Sequence, residues 1–170
     1  GLMITALAEA YQVLNNDEYL EAAIEAWSNL ETNHLKQSGR LIRSSREGST
    51  GGPAYHEDYA YTIEALLTLF RVTEREVFLE AAGRMAAVEI DLFWDEAGGY
   101  YFSQGEDVIA RRKAIRDSAI PAPNSVSVQN LLTLAQVTGD TTYRSRAGKA
   151  LRAFGGLLDR SPGSMSRMIV

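Results

Sequence analysis

Side chains able to move protons or grip a polar ligand gather in two stretches of this 170-residue sequence. The first is His56-Glu57-Asp58-Tyr59, preceded by Arg43. The second runs from Trp94-Asp95 through Tyr100, then Arg112 and Asp117, to Asn124. Carboxylates and imidazoles transfer protons near neutral pH when positioned against a substrate. Planar aromatic rings stack on the apolar faces of sugar rings, while carboxylates and guanidinium groups bind hydroxyls and anions. The pattern therefore nominates Glu57, Asp58 and Asp117 as catalytic candidates. Arg43, His56, Tyr59, Trp94, Asp95, Tyr100, Arg112 and Asn124 are nominated as ligand-binding residues.

Each candidate also has a plain structural explanation. Acids in the first turn of a helix complement its dipole. A basic run such as Arg111-Arg112-Lys113 is commonly solvated or pairs with local acids such as Asp117. Phe93 and Phe102 suit a turn whose rings plug a loop onto a core.

Other chemistries find no support. Cysteine is absent and there are two histidines, His34 and His56, so neither thiolate chemistry nor a histidine-rich metal site is expected. No metal and no cofactor is expected. Nothing matches a phosphate loop, a Ser-His-Asp order or a zinc-protease helix. The net charge of −5 arises from interspersed acids and bases, which recommends neither nucleic acid nor a membrane surface as partner. A chain with no cysteine is compatible with a reducing compartment, and a cytoplasmic location is the expectation.

The elements that must position these residues follow from periodicity. Leu66-Leu67-Thr68-Leu69 recurs as Leu131-Leu132-Thr133-Leu134, each followed by Val-Thr (Val72-Thr73, Val137-Thr138) and then an aromatic (Phe78, Tyr143). The offset is about 65 positions, and a looser copy lies around Tyr11, Val13, Tyr19 and Leu20. Each copy reads as helix, tight turn, helix. Six helices are predicted: Leu2 to Leu14, Asp17 to Leu35, Asp58 to Val72, one opened by a Thr73–Glu76 capping box, one capped by Asn124, and one starting at Asp140. Between hairpins, glycine, serine and proline break the pattern from Lys36 to Tyr55 and from Phe93 to Pro123, with a strand-like run at Arg40-Leu41-Ile42-Arg43. The expected domain covers residues 1–160, with a loose tail over 161–170.

Helices one, three and five are apolar nearly all round, whereas two, four and six carry one apolar stripe. A helix apolar all round is buried on several sides. The expected fold is therefore all-α, three antiparallel helical hairpins forming an arc of an α/α toroid or solenoid, with short strand-like pieces in the loops. Alternating helix direction would bring both long connectors to one rim, beside the N-termini of helices three and five. The chain opens on Gly1 already inside a helical pattern, which suggests a piece of something longer.

Several segments carry a resemblance. Gly1-Leu2-Met3-Ile4 with Ala6-Leu7-Ala8, Gly39-Arg40-Leu41, Arg43-Ser44 and Glu57-Asp58-Tyr59-Ala60 resemble the helical region of the spermatogenesis-associated thioredoxin-like proteins and their bacterial relatives. Phe93-Trp94-Asp95, Gly98-Gly99-Tyr100-Tyr101-Phe102, Arg112-Lys113 to Asp117, and Pro121 with Asn124-Ser125 continue it in order. The resemblance implies an α/α toroid similar to N-acylglucosamine 2-epimerases and six-hairpin glycosidases, of which this chain would be about half. The chain departs from that pattern at Ala54-Tyr55-His56, where Gly-Phe-Leu is usual, and at Pro121-Ala122-Pro123, where Pro-Ser is usual. His56 thus receives no role from the resemblance.

Two functions are expected from different classes. One is a polar-aromatic pocket that binds or processes a small carbohydrate-like ligand by epimerase, isomerase or glycosidase-like chemistry. The other is a non-catalytic helical scaffold that self-associates, or docks to a missing part of the toroid, through uncovered helix faces.

Overall fold

A computed structural model describes residues 1–46, 49–105 and 111–169. Gly48 in the first connector and residues 106–110 in the second lie outside that set. The described residues are dominated by helices α1 (Leu2–Leu14), α2 (Asp17–His34), α3 (His56–Thr73), α4 (Glu76–Phe93), α5 (Pro123–Thr138) and α6 (Thr141–Arg160). A two-residue antiparallel ladder pairs β1 (Ser45–Arg46) with β2 (Ser49–Thr50) in the first connector. The strand-like run lies just before it: Leu41 bridges Leu35, and Ile42 bridges Pro53.

The repeated sequence corresponds to a repeated device for ending a helix. Each hairpin turn places one residue in the left-handed region, Asn15 (φ 51), Glu74 (φ 55) and Gly139 (φ 74). Its amide donates to the carbonyl four residues back, Tyr11, Phe70 or Ala135. The Val-Thr of the two closer copies also has a task. Thr73 Oγ1 donates to Leu69 O at 2.7 Å, and Thr138 Oγ1 donates to Leu134 O at 2.6 Å. Each hydroxyl then accepts from the amide two residues on, Arg75 or Asp140. Thr73 is therefore the last residue of α3, where the sequence predicts a cap for helix four. Asn16 and Asp140 cap α2 and α6 by accepting from the amides of Glu18 and Thr142.

The chain divides into two compact units, Gly1–Val88 and Glu89–Val170, with the division inside α4. In the first unit α1 packs on α2 and α3. Helix α3 buries residues on every side, among them Tyr59, Ile63, Leu66 and Leu69. Helix α1 differs from its predicted broad burial: Ile4 and Ala8 are its buried residues, while Met3, Val13 and Leu14 are exposed. Its buried face, at Ile4 and Ala8, meets α2 and α3.

In the second unit α5 packs on α6 and on a short terminal helix α7 (Ser166–Ile169), which follows a 3-10 turn at Pro162–Met165. Met165 and Met168 are buried, so residues 162–169 are tied to the unit and do not form a free tail. Helix α5 starts at Pro123 with Ala122 as its cap. Asn124 is not the cap the sequence predicts. Proline suits the first helical position because its missing N–H would have no partner there, which leaves the Asn124 side chain free for other work. Among the described residues no helix is long and apolar enough to cross a membrane.

Candidate functional site

In the first unit the turn Lys36–Arg40 folds the chain back after α2, and the connector then delivers Arg43 to the N-terminus of α3. The Arg43 guanidinium reaches both neighbouring carboxylates: Nη2 lies 3.2 Å from Glu57 Oε1 and Nη1 lies 3.3 Å from Asp58 Oδ2. It also stacks on Tyr55, 4.4 Å from the ring centroid. Asp58 Oδ2 accepts from the Tyr55 amide at 2.8 Å, so the carboxylate also closes the first turn of α3. Beside this cluster lies a cleft of about 380 Å³, whose polar walls are Asn29, His34, Arg43, Asp58 and Thr62. Leu41 and Tyr61 supply apolar surface. A half-buried carboxylate beside a cation, as Asp58 is here, opening on a cleft of this size, can bind hydroxyls and exchange protons with them.

In the second unit the chain leaves α4 at Phe93 and turns through Asp95–Gly99. Trp94 bridges Tyr100, with their rings edge to face at 5.1 Å. Asp95 Oδ1 accepts from the Ala97 amide at 3.0 Å, and Lys113 Nζ lies 2.6 Å from Asp95 Oδ2 and donates to Gly98 O at 2.6 Å. The Lys113 ammonium, followed by the Ala97 amide, holds the Asp95 carboxyl at about 2, well below the usual carboxylate range. Tyr101 is raised above the ordinary phenol value, chiefly by its hydrogen bond to Asp95.

The sign of the pH effect follows. A depressed folded-state value stabilises the fold above the ordinary aspartate value, near 4, and that stabilisation is lost as pH falls toward 2. An NMR titration of the Asp95 carboxyl carbon should show a midpoint near 2. Lys113→Met should return it to the ordinary range, and a wild-type midpoint already at 4 would mean that the ion pair does not hold in solution.

The candidates separate by burial. His56, Tyr59, Tyr100 and Asn124 are fully shut from solvent. The Tyr59 hydroxyl accepts from the Leu41 amide at 2.8 Å and so fixes the connector onto α3. Asn124 reaches back across the loop: Oδ1 accepts from Tyr100 N at 2.8 Å, and Nδ2 donates to Tyr100 O at 3.0 Å and to Ala114 O at 2.9 Å. The Asp117 carboxylate accepts from the amides of Ala122 (2.8 Å) and Arg167 (2.9 Å), and from the Ser166 hydroxyl (3.3 Å). Tyr59, Asn124 and Asp117 thus hold loop backbone in place, while His56 and Tyr100 are buried. Arg43, Glu57 and Asp58 come together in the first unit, and Trp94, Asp95 and Tyr101 in the second. Arg112 lies over Phe102 at 4.7 Å.

Sequence reasoning missed Lys113 as the partner of Asp95, as well as Asn29, His34 and Thr62 on the cleft wall. The spacing of Asn29 and His34 late in α2 held a signal, since a polar pair there faces whatever the returning connector brings. Among the described residues no group of three or more His, Asp or Glu side chains could hold a metal ion.

The helical hairpins with ligand-sized loop chemistry define the class. The fold is that of the α/α toroids, and solved structures of that class superpose on most of the chain. The cellobiose 2-epimerase of Spirochaeta thermophila matches with a TM-score of 0.68 at 20% identity, over 91% of this chain and 42% of that protein. A family 105 glycoside hydrolase of C. acetobutylicum matches with a TM-score of 0.70 at 13% identity, over 88% of this chain and 45% of its own length. No protein-family model matches the chain.

The chain is homologous to a stretch of the proteins called spermatogenesis-associated protein 20. The rat protein of that name is 32% identical over 182 residues, which is 99% of this chain. The chain spans 23% of that relative's length.

Proposed function

We propose that the chain contributes a carbohydrate-handling site of the epimerase or isomerase kind, located in the cleft at the N-terminus of α3. The observation that carries this reading is the Arg43 guanidinium gripping Glu57 and Asp58 at 3.2 and 3.3 Å on the edge of that cleft. Epimerisation beside a carbonyl needs a group that removes and returns a proton, with positive charge near the oxygen that becomes negative. Asp58 is the proton-moving group in this reading, Arg43 the charge, and Asn29 and Thr62 bind hydroxyls. Glycoside hydrolysis needs two carboxylates on either side of the scissile bond. Glu57 and Asp58 meet one cation from one side, so the arrangement favours isomerisation over hydrolysis. The toroid relatives that act on sugars support the substrate class.

The test is deuterium incorporation at C2 of aldoses and reducing disaccharides in D₂O, followed by NMR for this chain and for a full-length relative. Incorporation is expected, and Asp58→Asn should slow it by on the order of 100-fold while the thermal transition remains cooperative. If neither protein labels any sugar, the reading fails.

A second reading rests on α1. Its Met3, Val13 and Leu14 are 69%, 80% and 61% exposed. A second copy of the chain would cover that face, since two copies supply about the number of hairpins in a toroid of which one copy spans roughly two fifths. Val13→Glu should then shift a dimer toward monomer in light scattering. A wild-type chain that stays monomeric at high concentration ends this reading.

A further inference from the structure

The fold builds a second constellation in the first connector, apart from the carboxylates. Ile42 N donates to His34 O at 2.9 Å, and His34 Nδ1 lies 3.2 Å from Ile42 O. A carbonyl oxygen only accepts, so Nδ1 carries the proton in this bond and Nε2 presents a lone pair. That lone pair meets Ser45 Oγ at 3.2 Å. The ring is thus fixed by a backbone partner at one nitrogen and faces an exposed hydroxyl with the other. This is the order of nucleophile, base and orienting group that activates a serine. His34 also lines the 380 Å³ cleft, so a substrate seated there adjoins the imidazole.

We propose that Ser45 is a nucleophile activated by His34, and that the pair takes small carboxylic esters. Ser45 Oγ attacks the ester carbonyl carbon while His34 Nε2 takes the hydroxyl proton. Collapse of the tetrahedral species breaks the bond to the alkoxy oxygen, which leaves with the proton from Nε2. Water then attacks the acyl-serine by the same route, releasing the carboxylic acid and restoring the hydroxyl. The proposal goes beyond the sugar-isomerase reading and does not depend on it, since ester chemistry needs neither Asp58 nor a sugar.

The test uses the 170-residue chain with a fluorophosphonate probe, in which Oγ bonds phosphorus, fluoride leaves and the proton passes through His34 to solvent. The adduct is mapped by mass spectrometry. Labelling of Ser45 is expected to be at least about 100-fold faster in the folded chain than in urea, with p-nitrophenyl acetate hydrolysis falling similarly in Ser45→Ala. His34→Gln should abolish both, and Ser44→Ala should change neither. No adduct on Ser45, equal rates in folded and urea-unfolded chain, or labelling that survives His34→Gln would each overturn the proposal. The folded-versus-urea comparison decides the matter even if the histidine variant does not fold. Because the probe carries no sugar, its failure leaves the isomerase reading standing, and the reverse is also true.

Discussion

Asn124→Leu lowers the stability of the chain by about 3 kcal/mol or more, the largest effect expected of any single polar substitution here. The reason lies in what is orphaned. Leucine fits the volume but leaves the amide and carbonyl of Tyr100 and the carbonyl of Ala114 without their shared partner. A buried polar group that loses its partner costs about 1–3 kcal/mol, and three lie within one side chain's reach. Asn124→Asp is informative beside it, because the carboxylate keeps the acceptor for Tyr100 N and sets negative charge against two carbonyl oxygens. Urea denaturation followed by Trp94 fluorescence, in a Trp27→Phe background, reads the site directly, since that ring lies edge-on to Tyr100. A loss below about 1 kcal/mol for the leucine variant would mean that water replaces the amide, so the loop would be open in solution.

Gly98→Ala is the second large effect, expected at about 2–4 kcal/mol. Gly98 sits at φ 106, a conformation side chains rarely adopt. A Cβ there would lie 2.7 Å from the carbonyl oxygen of Lys149 and 2.9 Å from Cβ of Ala153. Both are fixed to α6 and cannot swing aside, so the turn itself must shift. That turn holds Asp95 and presents Gly98 O to Lys113, so the substitution should also raise the Asp95 carboxyl toward its ordinary range. Calorimetry and the carboxyl titration together test this. A stable variant with an unmoved Asp95 would show that the turn tolerates the methyl group.

Much of the architecture was legible in the sequence, because helix periodicity and helix endings are local properties. The paired Val-Thr segments, Gly139 and Asp140 announce their hairpin turn, and the Phe93–Phe102 stretch reads as a turn between aromatics. Interactions across a connector were not legible. Asn124 stands where a cap is wanted, yet Pro123 takes the first helical position and Asn124 serves a loop 24 residues away. The basic run at Arg111–Lys113 reads as solvated or paired with acids such as Asp117, yet Lys113 reaches Asp95, where Phe102 N bonds Arg112 O. His34 and Ser45 meet where the connector returns to the end of α2, with Leu41 bridging Leu35 and Ile42 N donating to His34 O. Such pairings depend on a return path that no periodicity records. Helix α1 shows a different limit. Its composition predicts enclosure, but enclosure depends on neighbours, and Met3, Val13 and Leu14 stay exposed.

The three consecutive cations of the second connector carry a consequence for limited proteolysis. Arg111 rests on Tyr101 at 3.9 Å, Arg112 on Phe102, and Lys113 on Asp95. A trypsin-type enzyme must draw a basic side chain into its own acidic specificity slot, so each of these must first be peeled from its ring or carboxylate. Nicking at this tribasic stretch is therefore governed by how often the grip lets go, and the cleavage rate becomes a clock for local breathing of the loop.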